Sequence, residues 1–327
     1  MKIKTLNIGI IGYGKMGIIR RKEIEKNKYG NVIAIYDPVS KCNNIFTKNY
    51  DDIIENDNID IIFICTPNYL NAKLCILSLK NNKHVFCEKP PSLTSSELKK
   101  IITIEKKTKK KVMYGFNHRH YDSIKMMKQK INSMEFGKIL WIRGRYGKSV
   151  DSFFFKNWRS NKKLSGGGIF IDQGIHMLDL MLFFCSDFDQ VQSFKSNSYW
   201  QKDVEDNVFV NLKNSKKNII CSIHSTMTQW RHLFSLEVFF EKGYMTLNGL
   251  KTSSNSYGKE ELEFAINRSY PPSAKWSKSK KLIFTNNNSW KNEMDIFFNC
   301  LKKNTKILSC GSQDALKVMR IVDKIYK

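Results

Sequence analysis

The chain is expected to be an α/β protein with a doubly wound parallel sheet first and an open, mainly antiparallel sheet second. Three observations carry this. Strands and helices alternate through the first third, the first strand runs into a G-x-G-x-x-G, and after about residue 120 strand-like runs follow one another. The 327 residues suit about two domains, 1–120 and 121–327, with the C-terminal helix able to pack back on the first.

Thr5–Ile11 is a short apolar strand and Met16–Lys28 a helix. Val32–Tyr36 is a second strand that ends at Asp37-Pro38. Asp60–Cys65 is an unbroken apolar run, as a strand buried on both faces should be. Ala72–Lys80 is a helix and His84–Cys87 a fourth strand. Thr94 and Glu97 form a capping box that opens a helix to about Lys107, and Lys111–Tyr114 is a fifth strand. Alternation of this kind covers a parallel sheet on both faces.

Asp122–Asn132 is a helix and Ile139–Tyr146 a strand. Gly166-Gly167-Gly168 leads into an apolar helix ending near Phe184. Val191–Tyr199, Asn207–Leu212, Asn218–Thr226, Leu233–Phe240 and Tyr244–Leu247 are strand-like. The polar stretch Asn255–Lys281 is left unassigned. Helices at Trp290–Lys302 and Ser312–Tyr326 close the chain, with no internal repeat.

Lys and Arg total 55 against 30 Asp and Glu, a net charge of +25. Lys outnumbers Arg 46 to 9, and Asn reaches 30. Lys inflated together with Asn reads as a compositional bias spread over solvated faces, not as a dedicated polyanion surface, because Arg makes the bidentate phosphate and base contacts. Such a surface can still draw in anionic metabolites. Eight Cys stand at 42, 65, 75, 87, 185, 221, 300 and 310, without a C-x-x-C or zinc-type spacing. That is a reduced, cytosolic pattern. Met1-Lys2-Ile3-Lys4 opens a short apolar run that glycines soon break, unlike a signal peptide. No stretch is read as the ~18–20 apolar residues of a membrane span. The expectation is a soluble cytoplasmic protein with no membrane, specific nucleic-acid or metal partner.

Gly12-Tyr13-Gly14-Lys15-Met16-Gly17 sits between a strand and a helix, and Asp37 stands at the next strand end. Gly12 permits the tight turn, Gly14 lets backbone approach a pyrophosphate, and Gly17 allows close packing. The helix N-terminus then faces phosphate. Asp37 can accept ribose hydroxyls and repels a 2′-phosphate, so NAD is expected over NADP. A competing match, Gly9 to Lys15 as GxxxxGK, fails because Met16 replaces the magnesium-binding Ser or Thr.

Thr66-Pro67-Asn68 and Glu88-Lys89-Pro90 follow the third and fourth strands, where ligands of open parallel sheets sit. Asn68 can also cap the next helix. Lys89, partly desolvated beside a positive nicotinamide, should have a lowered pKa and suit proton transfer. Asp172 and His176 are four apart on the helix after the glycine run, and Asp179 continues that stripe. The three can do acid–base work, bind a metal, or contain a satisfied core histidine. Trp158-Arg159 can stack a sugar face and bind a carboxylate or phosphate, or merely anchor a loop. Trp200 and Trp230-Arg231-His232 read as core or interface.

Taken in order, the glycine fingerprint, Thr66-Pro67-Asn68, Glu88-Lys89-Pro90, Gly115-Phe116-Asn117-His118-Arg119 and GGG-x3-D-x3-H-x2-D-L from Gly166 to Leu180 resemble the Gfo/Idh/MocA oxidoreductases. The resemblance implies a Rossmann domain plus an α/β domain whose open sheet joins homodimers or homotetramers. It implies a catalytic triad at Lys89, Asp172 and His176, with Trp158, Arg159 and Asn117 as substrate candidates and Asn117 also near the cofactor. It implies hydride transfer between NAD and a secondary hydroxyl of a sugar, cyclitol or nucleotide sugar. Alternatives are an enzyme that retains NAD and epimerises or cleaves glycosides through transient oxidation, and a non-catalytic sugar or NAD sensor. Two positions depart from the pattern: Asn71 stands where many members carry His, and Asp122 where many carry Pro.

Overall fold

The computed structural model describes residues 5–40, 44–266 and 279–327. Met1 to Lys4, Cys42 and positions 267–278 of the unassigned polar stretch lie outside the described residues. Two compact units emerge. One takes residues up to 117 with 163–166 and 290–323; the other takes 118–162, 167–289 and 324–327.

In the first unit β1 (Asn7–Ile11), α1 (Lys15–Lys26), β2 (Asn31–Tyr36), α2 (Asp51–Ile54), β3 (Ile61–Ile64), α3 (Asn68–Lys80), β4 (His84–Cys87), α4 (Ser95–Thr108) and β5 (Val112–Tyr114) follow in turn. The sheet order is β2-β1-β3-β4-β5, and all neighbours are parallel. All four residues of β3 are buried, which is why its sequence is apolar throughout. The capping box forms as expected: Thr94 Oγ1 accepts the Glu97 N–H at 3.2 Å, and the Glu97 carboxylate accepts the Thr94 N–H at 3.4 Å. The short helix α2 has no counterpart in the sequence reading.

Beyond residue 117 come α5 (Asp122–Asn132), β6 (Ile139–Ser149), the single turn α6 (Lys162–Ser165), α7 (Ile175–Cys185), β7 (Gln190–Ser196), β8 (Asn207–Asn214), β9 (Ile219–Thr226), β10 (Thr228–Phe240), β11 (Gly243–Asn248), β12 (Glu260–Ile266) and β13 (Lys280–Phe284). These eight strands form one sheet in the order β13-β12-β11-β10-β6-β9-β8-β7. All pairs are antiparallel except β6 with β9. Two strands, β12 and β13, fall in or at the edge of the stretch left unassigned from sequence. α7 lies against β6, so closely that a Cβ on Gly144 would stand 2.4 Å from Met177 Sδ.

The glycine run does not open one continuous helix. A π-type turn, Phe170–Gly174, precedes α7. The expectation that no stretch reaches membrane-span length also needs correction. Lys162–Cys185 has the length and composition to cross a bilayer, but 83% of its apolar window is buried inside the protein, as in a core helix.

Two helices close the chain, α8 (Ser289–Lys302) and α9 (Ser312–Tyr326). Within the first unit, Phe297 packs edge-on against Phe86 at 5.5 Å, and Phe298 stacks on Tyr29 at 4.6 Å. Burying each such ring contributes about 1.5–3 kcal/mol.

Candidate active site

In the first unit, β1 delivers the chain to Gly12, whose φ is +92°. A Cβ there would stand 2.5 Å from the Cys65 carbonyl oxygen just past β3, so the turn accepts only glycine. A Cβ on Gly17 would stand 2.2 Å from the Gly12 carbonyl oxygen. Gly14 differs. Nothing lies within 4 Å of its Cβ position, and its φ of −72° suits any residue. Nothing in the fold requires glycine at 14, so its reason points to a ligand that touches the backbone. Gly14 is the N-cap of α1, and no side chain caps that helix, which leaves its first N–H groups to a phosphate.

Asp37 braces this loop. Its Oδ2 accepts the Tyr13 N–H at 2.7 Å, and its Oδ1 accepts those of Val39 and Ser40 at 2.9 and 3.0 Å. Arg21 donates to the Tyr13 hydroxyl at 3.2 Å.

The turn after β3 is built differently from expectation. Pro67 is the N-cap of α3, and Asn68 is the first helical residue. The buried Asn68 side chain donates to the Ser165 carbonyl at 2.7 Å, so its amide caps nothing. Asn71, fully buried, ties this turn to the next one. Its Oδ1 accepts from Thr66 Oγ1 at 3.0 Å, and its Nδ2 donates to the carbonyls of Pro90 at 2.8 Å and Glu88 at 3.3 Å. Lys89 lies between those two carbonyls.

The Glu88 carboxylate is committed to Arg20. Arg20 Nε donates to Glu88 at 2.7 Å and Nη1 donates to Glu293 at 2.6 Å, with the guanidinium fully buried. Burial opposes the charge on Arg20, but the two carboxylates outweigh it and hold its pKa above the ordinary value. The Glu88 backbone is committed as well: its N–H donates to the Ile64 carbonyl at 2.9 Å and its carbonyl accepts from Asn71, so Glu88 braces the turn that carries Lys89. Arg20 shares the buried face of α1 with Gly17 and Ile24, an arrangement visible in the sequence but not used. Its partner Glu293 lies 273 positions away.

In the second unit the π-type turn upsets the expected stripe. Its wider turn, which holds Asp172, shifts the helical register by one residue before His176 and Asp179. Asp179 is fully buried and accepts two bonds from Arg119, at 2.8 and 2.6 Å. The acid weighed as a metal ligand therefore forms a buried ion pair with Arg119 within the second unit. Among the described residues, no group of three or more His, Cys, Asp or Glu side chains could hold a metal ion.

His176 is buried and stacks on His118, ring centroids 3.9 Å apart. His118 Nε2 lies 3.1 Å from the Tyr146 hydroxyl. Burial pushes the Tyr146 phenol well above its usual range and that of Tyr257 up to about 12. Tyr257 accepts from Gln173 Nε2 at 2.8 Å. Asp172 Oδ2 accepts from Lys148, and Arg159 Nε stands 3.8 Å from Oδ1. Arg159 begins a short turn with Trp158, and its guanidinium lies 4.4 Å over that ring. Asn117 is buried at the end of the first unit. Trp200 packs on Phe155 at 4.9 Å, and Trp230 on Tyr199 at 4.8 Å.

Sequence reasoning missed Lys148, Tyr146 and Tyr257. They come from β6 and a loop, and no spacing rule ties them to Asp172 or His176. The groups found in the first unit suit a dinucleotide, and those in the second suit proton transfer and polar recognition.

The description "Oxidoreductase family, NAD-binding Rossmann fold" of the GFO/IDH/MocA proteins fits residues 6–116, and "GFO/IDH/MocA C-terminal domain" fits residues 124–246. A levoglucosan dehydrogenase of Pseudarthrobacter phenanthrenivorans is 30% identical over 152 residues, 46% of this chain and only 39% of that relative's length. A solved levoglucosan dehydrogenase in complex with NADH has a TM-score of 0.82 at 20% identity, over 99% of this chain and 96% of that one. A 3-ketoreductase from Actinomadura kijaniata in complex with NADP and TDP-benzene has a TM-score of 0.84 at 14% identity, over 99% and 97%. At these identities the two structures establish the fold.

Proposed function

The chain belongs to the Gfo/Idh/MocA oxidoreductase family, and we propose that it is an NAD-dependent dehydrogenase acting on a secondary hydroxyl of a sugar, cyclitol or nucleotide sugar. The observation that carries the reading is Gly14, a glycine with open space where its side chain would be, at an uncapped helix start. Bound NAD supplies two-electron oxidation at its nicotinamide.

The residues of this chain do the rest. The glycine loop and α1 hold the pyrophosphate, and Asp37 accepts the ribose hydroxyls. A 2′-phosphate beside that carboxylate is repelled, which favours NAD over NADP. The His176 imidazole takes the proton from the substrate hydroxyl. The Lys89 ammonium hydrogen-bonds the oxygen as it becomes a carbonyl, and Asp172 accepts a bond from a substrate hydroxyl. General acid–base help of this kind contributes about 10²–10⁴ in rate. Exposed apolar side chains on the second sheet, among them Phe194, Phe209 and Ile220, support a homodimer or homotetramer.

The test is thermal unfolding of cofactor-stripped protein with NAD, NADP or buffer, followed by turnover of a sugar panel. A cofactor that binds only the folded state raises the midpoint. NAD should raise it more than NADP, and Lys89→Ala should abolish turnover while keeping the NAD shift. No shift with either nucleotide would sink the reading.

A further inference from the structure

Asp172 is one carboxylate facing two cations. Lys148 hydrogen-bonds its Oδ2 from a side chain only 12% exposed, and Arg159 Nε lies 3.8 Å from Oδ1. The Lys148 ammonium also lies 4.4 Å from the Phe154 ring centroid, so it is held on two sides. Burial, and then the charge of Lys148, lower the pKa of His232, which favours its neutral form and adds no further positive charge beside Lys148. The carboxylate and the ammonium cancel. Arg159 is left as surplus positive charge with one long contact, its side chain 42% exposed.

Its setting suits a ligand. The guanidinium carbon lies 4.4 Å from the Trp158 ring centroid, and Asn157 Oδ1 accepts the Arg159 N–H at 2.9 Å, so the backbone is held and the head group has an aromatic neighbour. A guanidinium carries its N–H groups along the edge of its plane, where a carboxylate or phosphate accepts two of them at once.

We propose that the substrate carries an anionic group, a carboxylate or a phosphate, and that Arg159 binds it beside Asp172. This rests on the dehydrogenase reading for the reacting carbinol and adds the substrate's charge. The excess of 25 positive charges draws every anion toward the surface, so the test must separate that diffuse attraction from one side chain.

The experiment is calorimetric titration of the NAD-saturated protein with glucose, glucuronate and glucose 1-phosphate. At least one anion should bind ten-fold or more tightly than glucose, and the stronger of the two tells carboxylate from phosphate. Arg159→Gln should remove that advantage, and Arg159→Lys should restore only part of it. Lys216→Gln, which deletes the same charge from an exposed turn, should change it less than two-fold. Unfolding midpoints confirm that each variant is folded. The inference is overturned if glucose binds as tightly as both anions, if Lys216→Gln acts like Arg159→Gln, or if none of the three binds to protein that still binds NAD. Failure to bind NAD would remove the dehydrogenase reading instead, and the same titrations without NAD would still decide the anion question.

Discussion

The Asn71 amide grips the chain on both sides of Lys89, donating to the Pro90 carbonyl at 2.8 Å and to the Glu88 carbonyl at 3.3 Å. Backbone groups buried there need partners inside the protein, and the Asn71 amide supplies one to each of these two carbonyls. Asn71→Ala should lower stability by about 1–3 kcal/mol through the unpaired carbonyls. It should also cut kcat more than it weakens NAD binding, with Asn71→His, which keeps a ring donor, recovering part of kcat. Unchanged kcat in a folded Asn71→Ala protein would show that Lys89 needs no such brace.

The three glycines of the loop should separate by assay. Gly14→Ala puts a methyl in open space, so its unfolding free energy should stay within about 0.5 kcal/mol of the parent while NAD affinity drops at least ten-fold. Gly17→Ala drives a Cβ toward the Gly12 carbonyl and should cost about 1–3 kcal/mol. Denaturant unfolding paired with NAD titration checks both. Tight NAD binding by Gly14→Ala would show that no ligand group passes there.

Arg119 and Asp179 form a bidentate pair with both side chains buried. Arg119→Met strands a buried carboxylate and should cost about 3–5 kcal/mol, whereas the double variant Arg119→Met/Asp179→Leu should recover much of the loss. Additive losses in that cycle would argue against direct coupling.

Burial, with Lys110 and Lys111 adding to it, lowers the His84 pKa to about 4, and its Nδ1 accepts the Lys111 N–H at 3.1 Å. The unfolded chain, with an ordinary histidine near 6.5, therefore binds more protons between those two values. His84 favours the fold above about pH 6.5, and that contribution should be lost as the pH falls toward 4. His84→Gln should flatten the fall in unfolding midpoint over this window. An equal fall in both proteins would assign the acid sensitivity to other groups.

Local signals were the readable ones. The glycine fingerprint, the Thr94–Glu97 box and the four buried residues of β3 each declare themselves within a few positions. The strand β13 did not. Four of its five residues are exposed, and edge strands that keep charge on show carry no apolar alternation. The π-type turn leaves no signature in residue type, yet it changes the register between Asp172 and the helix that carries His176 and Asp179. Long-range pairs were equally silent: Lys148 with Asp172 spans 24 positions, and Arg20 with Glu293 spans 273. Such contacts depend on packed elements, and only the Arg on a buried helical face offered a warning.

The bond from the Tyr13 N–H to Asp37 ties the carboxylate proposed to select the cofactor to the architecture of the glycine loop. On the proposed preference for NAD, redirecting the protein to NADP would begin by replacing Asp37 with a neutral or basic residue. That exchange also unfastens the glycine loop and the turn at Val39 and Ser40, which share the same two oxygens. Redesign at this position is therefore a coupled problem: a second substitution has to hold the Tyr13 N–H before the new cofactor can be accommodated.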